Sequence, residues 1–207
     1  MSFIEHTTET APAGSVRALE SIAGNLGFVP PPAARQAESP ELLNGFLRMS
    51  ALFESVTLEP VAREVVIMTV AARNECGLCV RMHAGKLEKL GVGEGVVAAL
   101  SEQRPLEEPA LEAIRLFTCA VLDGRGEVDD AGLKAFYAHG YTQRNALEVV
   151  LGIGTYTLST FANRLVGQGT STAQGPGRPR EIPEERRGRS MTFGRGVGGG
   201  PVRTFAP

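Results

Sequence analysis

Residues 64–83 read EVVIMTVAARNECGLCVRMH, and this stretch decides the predicted fold. Its first part is apolar nearly all round, which is typical of a helix buried in a protein core. The β-branched residues at 65–67 would also suit a strand, but the segment is long and no turn signals flank it. We therefore predict a helix from Leu58 to about Arg73, capped by Thr57. A second helix is predicted to begin at Cys76 and to end at Gly91 as its C-cap.

Four side chains in this stretch have the spacing of a redox centre. In the second helix, Cys76, Cys79 and His83 fall at positions i, i+3 and i+7, which lie on one face. Cys79 and His83 are one turn apart, about 6 Å along the axis, so the imidazole can take the thiol proton directly or through one water. Glu64 lies on the preceding helix, twelve residues before Cys76. From there it can orient His83 and raise its basicity.

The two thiols compete for the role of nucleophile. The helix start favours Cys76, because free backbone N–H groups and the helix dipole stabilise a thiolate there. The imidazole favours Cys79, and because a base must be within reach we predict that Cys79 attacks and Cys76 resolves. Their spacing puts the two Cα atoms about 5–6 Å apart, which suits a disulfide. Such a centre can reduce a peroxide through a sulfenic acid that condenses with the second thiol.

Other interpretations of these residues stay open. Two thiols in a buried helix can be inert, and a dithiol can also belong to a redox sensor or assembly protein without enzymatic activity. Two cysteines, a histidine and a glutamate can bind zinc, but structural zinc sites usually take ligands from two separated pairs. We therefore expect no metal and no cofactor. Cys119 is expected to be a small core residue in an apolar helix face, and His6 to have no role.

Composition excludes several classes of protein. A chain of 207 residues that is 43% hydrophobic can bury a core, and its net charge of -2 does not favour nucleic acid or an anionic membrane as partner. Three cysteines are too few for a disulfide-stapled secreted scaffold. The start MSFIEHTTET has no signal-peptide pattern, and no run of about 18 apolar residues suggests a membrane span. We therefore expect a cytoplasmic protein.

The remaining segments also have helical patterns, which predicts an all-α fold with a single domain over residues 14–167. One helix should begin at Pro40 with Ser39 as its cap, because proline is favoured at the first helical position. The segment FVPPP at 28–32 is expected to be extended, since three consecutive prolines cannot enter a helix interior. Residues 1–13 are expected to be flexible.

Residues 168–207 differ in composition from the rest of the chain. They are rich in Gly, Arg, Pro, Ser and Thr and cannot bury enough apolar surface to offset their chain entropy, so we predict a disordered tail. Their arginines and glycines faintly resemble RNA-binding segments of the RGG type, but a solvated tail is favoured.

The pattern Glu64-x11-Cys76-x2-Cys79-x3-His83 in an all-helical chain resembles the AhpD-like family, whose superfamily also holds the carboxymuconolactone decarboxylases. The resemblance covers about residues 14–166. It implies an AhpD-like helical bundle, a homo-oligomer that is a trimer or a multiple of one, and antioxidant alkylhydroperoxidase activity. A hydroperoxide would be the substrate, and a dithiol or protein reductant would restore the thiols.

The family also implies a role for each site residue. Its second cysteine, here Cys79, is peroxidatic, and its first, here Cys76, resolves. Its histidine and glutamate, here His83 and Glu64, form a proton relay. Some peroxidatic members carry a second histidine where this chain has Leu78, so we expect weaker proton transfer or a different reductant. Decarboxylase members lack the cysteine pair, which disfavours that activity here.

Overall fold

The computed structural model describes residues 2–167, and within this range the chain forms helices and no strand. This confirms the predicted all-α class. The predicted disordered tail lies outside the described residues, and the domain boundaries stay predictions. The helices are α1 (Ala13–Leu26), α2 (Pro31–Gln36), α3 (Pro40–Glu54), α4 (Pro60–Arg73), α5 (Gly77–Lys89), α6 (Glu94–Ser101), α7 (Pro109–Asp123), α8 (Asp130–Ala138) and α9 (Gln143–Gly167).

The core is built around α4, as its apolar sequence predicts. This helix packs against α5, α6, α7 and α9, and every residue from Glu64 to Ala72 is buried. Glu64 is the one charged side chain in that buried run. A buried carboxylate needs partners of its own, so the position of Glu64 marks where polar groups must enter the core.

The long helix α9 reaches this core through a glycine. A Cβ atom at Gly152 would lie 2.6 Å from Cζ of Phe53 and 3.0 Å from Cγ1 of Val66. The missing side chain therefore lets α9 pack closely against α3 and α4. Further along α9, Tyr156 and Asn163 contact His83 and Cys79 of α5.

Two predicted helix starts had different outcomes. Ser39 caps α3 and accepts a hydrogen bond from the Leu42 N–H at 3.3 Å, as predicted. The prediction that Thr57 caps the next helix is wrong, because α4 begins at Pro60. The Thr57 hydroxyl instead lies 2.8 and 2.9 Å from the two carboxylate oxygens of Glu148 on α9. The Thr57 hydroxyl therefore bonds to a residue that is distant in the sequence and does not cap the helix that follows it.

The extended segment predicted at 28–32 is also partly wrong, because α2 begins inside it. Pro30 is the N-cap residue, and Pro31 and Pro32 occupy the first two helical positions. Backbone N–H groups at these positions have no partner within a helix, so proline loses nothing there. Three consecutive prolines can therefore begin a helix although they cannot lie inside one.

The bounds of α5 differ slightly from the prediction. Cys76 is the N-cap residue and Gly77 the first helical residue. At the other end Leu90 is the C-cap, and Gly91 follows it with a φ of 78°, a conformation that favours glycine. The predicted cysteine spacing at a helix start is thus retained.

The N-terminal segment, for which we expected flexibility, is tied to α2 and the turn after it. The His6 N–H donates to the carbonyl of Ala34 at 3.2 Å, and the His6 ring lies 2.6 Å from a carboxylate oxygen of Glu38. His6, for which we expected no role, therefore makes a structural contact. Among residues 2–167, no helix combines the length and the apolar character that crossing a membrane requires.

Candidate active site

Cys76 and Cys79 form a disulfide at the start of α5, with their Cα atoms 5.3 Å apart. This distance lies within the range predicted from their spacing. Both residues are buried, with 3% and 5% of their surface exposed. The Cys76 sulfur accepts a hydrogen bond from the backbone N–H of Cys79 at 3.4 Å. The pair is therefore geometrically able to cycle between a dithiol and a disulfide.

Glu64 and His83 meet directly, without an intervening group. Nδ1 of His83 lies 2.6 Å from Oε2 of Glu64, whose side chain is 4% exposed. Because an ionised carboxylate only accepts hydrogen bonds, the proton between them belongs to Nδ1. In the neutral ring the lone pair is then on Nε2, so this contact prepares the imidazole to accept a proton there.

A lysine holds the other oxygen of Glu64. Nζ of Lys86 lies 3.1 Å from Oε1 of Glu64 and 2.6 Å from Oε1 of Glu54. Burial by itself would raise the pKa of Glu64, but the hydrogen bond and charge of His83, together with Lys86, lower it below its ordinary value of 4.5. The carboxylate is therefore ionised at neutral pH, although it is buried.

Tyr156 of α9 packs against the imidazole. The rings of His83 and Tyr156 meet edge to face, with centroids 5.4 Å apart, and the Tyr156 hydroxyl lies 3.5 Å from Oγ of Ser50. Burial raises the pKa of Tyr156, so its phenol stays protonated. This supports the interpretation of Tyr156 as a packed residue, which here limits the orientation of the His83 ring.

The disulfide opens onto an apolar pocket of about 210 Å³. Of the two cysteines, Cys79 lines this pocket and Cys76 does not, and His83 lines it as well. The other walls are mainly apolar side chains from α1, α3 and α5, among them Ile22, Leu26, Leu43, Phe46, Leu47 and Met82. A substrate in the pocket would therefore reach the Cys79 sulfur and the imidazole together.

Sequence reasoning missed several polar groups around these four residues. Lys86 follows His83 by three positions on α5, so its helical spacing was a usable signal. Asn163 donates to the Cys79 sulfur from α9, 84 positions away, and no sequence pattern points to it. Cys119, expected in the core, is only partly buried.

Metal ligands are not brought together in the part of the chain that the structure describes. Among residues 2–167, no three or more His, Cys, Asp or Glu side chains are grouped so that they could hold a metal ion.

One protein family matches part of the chain. Residues 40–113, which include all four predicted site residues, match the model of the carboxymuconolactone decarboxylase family. The match spans about a third of the chain. This confirms the resemblance seen in the sequence. No curated protein sequence matches this one.

Solved structures of two peroxidase-related proteins and a debrominase share this fold. An alkylhydroperoxidase AhpD core protein from Ralstonia eutropha JMP134, described as an uncharacterized peroxidase-related protein, is 21% identical, with a TM-score of 0.70 over 80% of this chain and 89% of the other. An uncharacterized peroxidase-related protein from Silicibacter sp. TM1040 is 20% identical, with a TM-score of 0.62 over 86% and 92%. A cysteine-to-alanine variant of the debrominase Bmp8, in complex with 2,3,4-tribromopyrrole, is 16% identical, with a TM-score of 0.58 over 74% and 83%.

Proposed function

We propose that the protein is a thiol-dependent alkylhydroperoxidase. The observation that carries this proposal is that Cys79, one half of a disulfide, lines an apolar pocket together with His83, whose ring is held by the buried carboxylate of Glu64. An apolar pocket suits the organic part of an alkyl hydroperoxide. The names of the peroxidase-related structures that share the fold also support this chemistry.

The proposed cycle uses the four predicted residues. His83 takes the proton of the Cys79 thiol, and the thiolate attacks the O–O bond of the hydroperoxide. That bond breaks, the alcohol leaves with the proton from His83, and Cys79 becomes a sulfenic acid. The Cys76 thiol then attacks the sulfenic sulfur, water leaves and the disulfide forms. An external dithiol or a protein reductant supplies two electrons and two protons to restore both thiols.

Cys79 rather than Cys76 is the attacking thiol in this proposal. The backbone N–H of Cys79 points at the Cys76 sulfur, which would stabilise a thiolate on Cys76. Substrate access and the nearby imidazole favour Cys79, because this residue lines the pocket and His83 follows it by one helical turn. A hydroperoxide that cannot reach Cys76 cannot be reduced there, so the difference in access supports Cys79 as the attacking thiol.

We further propose a homo-oligomer that works in a reducing cytoplasm. Large apolar side chains along one face of α9 are exposed, with Leu147 at 72%, Phe161 at 58% and Leu165 at 55%. Their helical spacing places them on one stripe, which a second copy of the chain would cover. A cytoplasmic dithiol pool would supply the reductant that the cycle needs.

Peroxide consumption tests the catalytic proposal. Wild type should consume cumene hydroperoxide in the presence of a dithiol reductant, and Cys79→Ser should not. Cys76→Ser should form a sulfenic acid at Cys79 that dimedone traps, without a disulfide. Cys119→Ser is the matched control, because this third cysteine lies outside the pocket, and its rate should equal that of wild type.

The same experiment separates the alternatives. Equal rates for wild type and Cys79→Ser would reject the peroxidase. A slow reaction, together with an oxidation-dependent change in molecular mass, would instead favour the dithiol sensor or assembly protein. Stoichiometric zinc in protein purified under reducing conditions would favour the structural zinc module.

A further inference from the structure

The sulfur of Cys79 has a hydrogen-bond donor from a distant helix. Nδ2 of Asn163, on α9, lies 3.4 Å from Sγ of Cys79. The same nitrogen lies 3.5 Å from Oγ of Ser159, one turn earlier on α9. Asn163 also lines the apolar pocket, so its amide sits beside the sulfur that a substrate would meet.

A second amide fixes which end of Asn163 faces the sulfur. Nε2 of Gln36 donates to Oδ1 of Asn163 at 2.7 Å, and Gln36 is buried, with 7% of its surface exposed. Because Oδ1 is the acceptor of this bond, the NH₂ end of the Asn163 amide is turned toward Cys79. The hydrogen bond that holds the Asn163 amide in this orientation thus comes from α2, the short helix that we did not predict from the sequence.

A donor in this position acts on the charge of the sulfur. A thiolate accepts a hydrogen bond far more strongly than a neutral thiol, so an amide N–H next to the sulfur favours the deprotonated form. The Cys76 sulfur has a different donor, the backbone N–H of Cys79. Each sulfur of the pair therefore has its own N–H, and the amide of Asn163 serves the one that faces the pocket.

We propose that Asn163 is a catalytic residue that stabilises the thiolate of Cys79 through its side-chain N–H, and that Gln36 is the positioning residue that keeps this N–H aimed at the sulfur. The peroxidatic role of that thiolate rests on the proposed function. The stabilisation itself does not, because it can be measured without any peroxide.

The neutral amide can be removed without changing a charged group near the sulfur. The titratable side chains that the contacts described above link to the site are Cys76, His83 and Lys86 at α5, Glu64 on α4, Glu54 on α3 and Tyr156 on α9. All of them stay in place in Asn163→Leu, which keeps the branched shape of the natural side chain but has no donor. A change in the titration of Cys79 in this variant therefore reports the lost hydrogen bond.

The test is the rate of Cys79 alkylation by iodoacetamide as a function of pH, measured on the reduced full-length chain with mass spectrometry that resolves each cysteine. Asn163→Leu should move the midpoint of the Cys79 curve upward by about one pH unit, which is roughly a tenfold loss of thiolate at a given pH below it. Asn163→Asp should move it further, because a carboxylate repels the thiolate. The Cys76 curve should shift less in both variants.

Asn44→Ala is the matched control, since the Asn44 amide donates to the carbonyls of Gly14 and Pro40 and not to a cysteine. Its Cys79 curve should coincide with that of wild type. If Asn163→Leu is not folded by circular dichroism, the smaller Asn163→Ala takes its place. An unchanged or lowered midpoint in the folded variant would overturn the proposal, because a carbonyl oxygen facing a thiol would give that result.

The positioning role of Gln36 has its own readout. Gln36→Leu should raise the same midpoint by less than Asn163→Leu does, because the amide is then free to turn. Combined with Asn163→Leu it should add nothing, since both changes act on one hydrogen bond. Additive shifts would show that Gln36 acts independently of Asn163. Should wild type fail to consume hydroperoxide, the peroxidase proposal is lost, while these titrations still decide the roles of the two amides.

Discussion

Glu64 and His83 are nineteen positions apart in the chain, yet Oε2 of one and Nδ1 of the other lie 2.6 Å apart. The remaining oxygen of Glu64 faces Nζ of Lys86 at 3.1 Å. A cation, a carboxylate and an imidazole thus form a chain that leads to the pocket. Its effect depends on the central carboxylate being ionised, and the first two predictions test this dependence.

Replacing Glu64 with glutamine should lower the rate of hydroperoxide consumption about 100-fold, a typical loss when acid–base catalysis is disabled. The amide cannot hold His83 in the tautomer that accepts a proton on Nε2, although its size is unchanged. Steady-state kinetics with cumene hydroperoxide measures the effect. Glu59→Gln, an exposed carboxylate just before α4, is the control and should retain the wild-type rate. Equal losses in both variants would contradict a specific role for Glu64.

Replacing Lys86 with methionine should move the acid limb of the pH–rate profile to higher pH. Lys86 is among the groups that lower the pKa of Glu64 against the effect of burial, so without it that pKa rises and the carboxylate is ionised only at higher pH. Lys86→Arg keeps the positive charge and should leave the limb near its wild-type position. The measurement is kcat/KM for hydroperoxide between pH 4 and 8. If the two variants behave alike, the charge of Lys86 is not the cause.

The central residues of the site could be predicted because they lie on consecutive helices. Helical periodicity alone relates Cys76, Cys79 and His83, and the short turn between α4 and α5 brings Glu64 back beside them. The all-α fold class could be predicted for the same reason, since every long segment has a helical pattern. Periodicity within one helix depends only on neighbouring residues, so it can be read from the sequence alone.

The rest of the site depends on tertiary contacts that leave no local pattern. Asn163 and Gln36 are hydrogen-bonded although they are 127 positions apart in the chain. No pattern in the sequence around either residue indicates that it belongs to the site. The same holds for Thr57, which is bound by Glu148 from α9 instead of capping its own helix. Such partners are determined by how the helices pack. In the case of α2, the three prolines also led us to predict an extended segment where a helix begins.

Gly152→Ala should destabilise the fold by about 1–3 kcal/mol, the usual cost of an added group in a packed core. Its Cβ would lie 2.6 Å from the ring of Phe53, a residue with no exposed surface. Gly154→Ala is the matched control on the same helix, because nothing lies within 4 Å of its Cβ position. This control should be neutral or stabilising by up to about 1 kcal/mol, since alanine favours helix. Urea unfolding of both variants gives the comparison, and a stable Gly152→Ala would contradict the close approach of α9.

Acid should progressively destabilise the protein as the pH falls below about 4.5, with buried carboxylates as the cause. Burial by itself would raise the pKa of Glu148, but hydrogen bonds from Thr57, Asn145 and Arg144 lower it below its ordinary value of 4.5. A lowered folded-state pKa gives stability that is fully present above 4.5 and is lost as the pH falls toward the folded-state value. The pKa of Glu64 is lowered too, and its contribution has the same sign.

Glu148→Gln tests this account of acid stability. The variant should be less stable than wild type at pH 7, and the difference should shrink at pH 3 to 4, where wild type has lost the contribution of the carboxylate. The free energy of unfolding in urea, measured at pH 7, 5, 4 and 3, gives the comparison. Glu20→Gln, at an exposed position on α1, should follow the wild-type curve. A constant difference across this range would show that the Glu148 charge is not responsible.

If the exposed stripe on α9 is an interface between copies of the chain, polar substitutions in it should lower the molecular mass of the particle in solution. Phe161→Ser combined with Leu165→Ser removes two exposed apolar groups near the end of the described helix. They are 58% and 55% exposed and lie outside the core of one chain. If a second copy covers them, the variant should shift from an oligomer to a monomer in light scattering, while circular dichroism stays the same.

Leu116→Ser is the control for this variant, because Leu116 is similarly exposed, at 52%, but belongs to α7 and not to the stripe on α9. Its mass should match that of wild type. A mass that is unchanged in the α9 variant would exclude the stripe as the interface. Retained hydroperoxide consumption in a monomeric variant would mean that the pocket is complete within one chain. That result is expected, because Cys79, His83, Glu64 and Asn163 all come from the same copy.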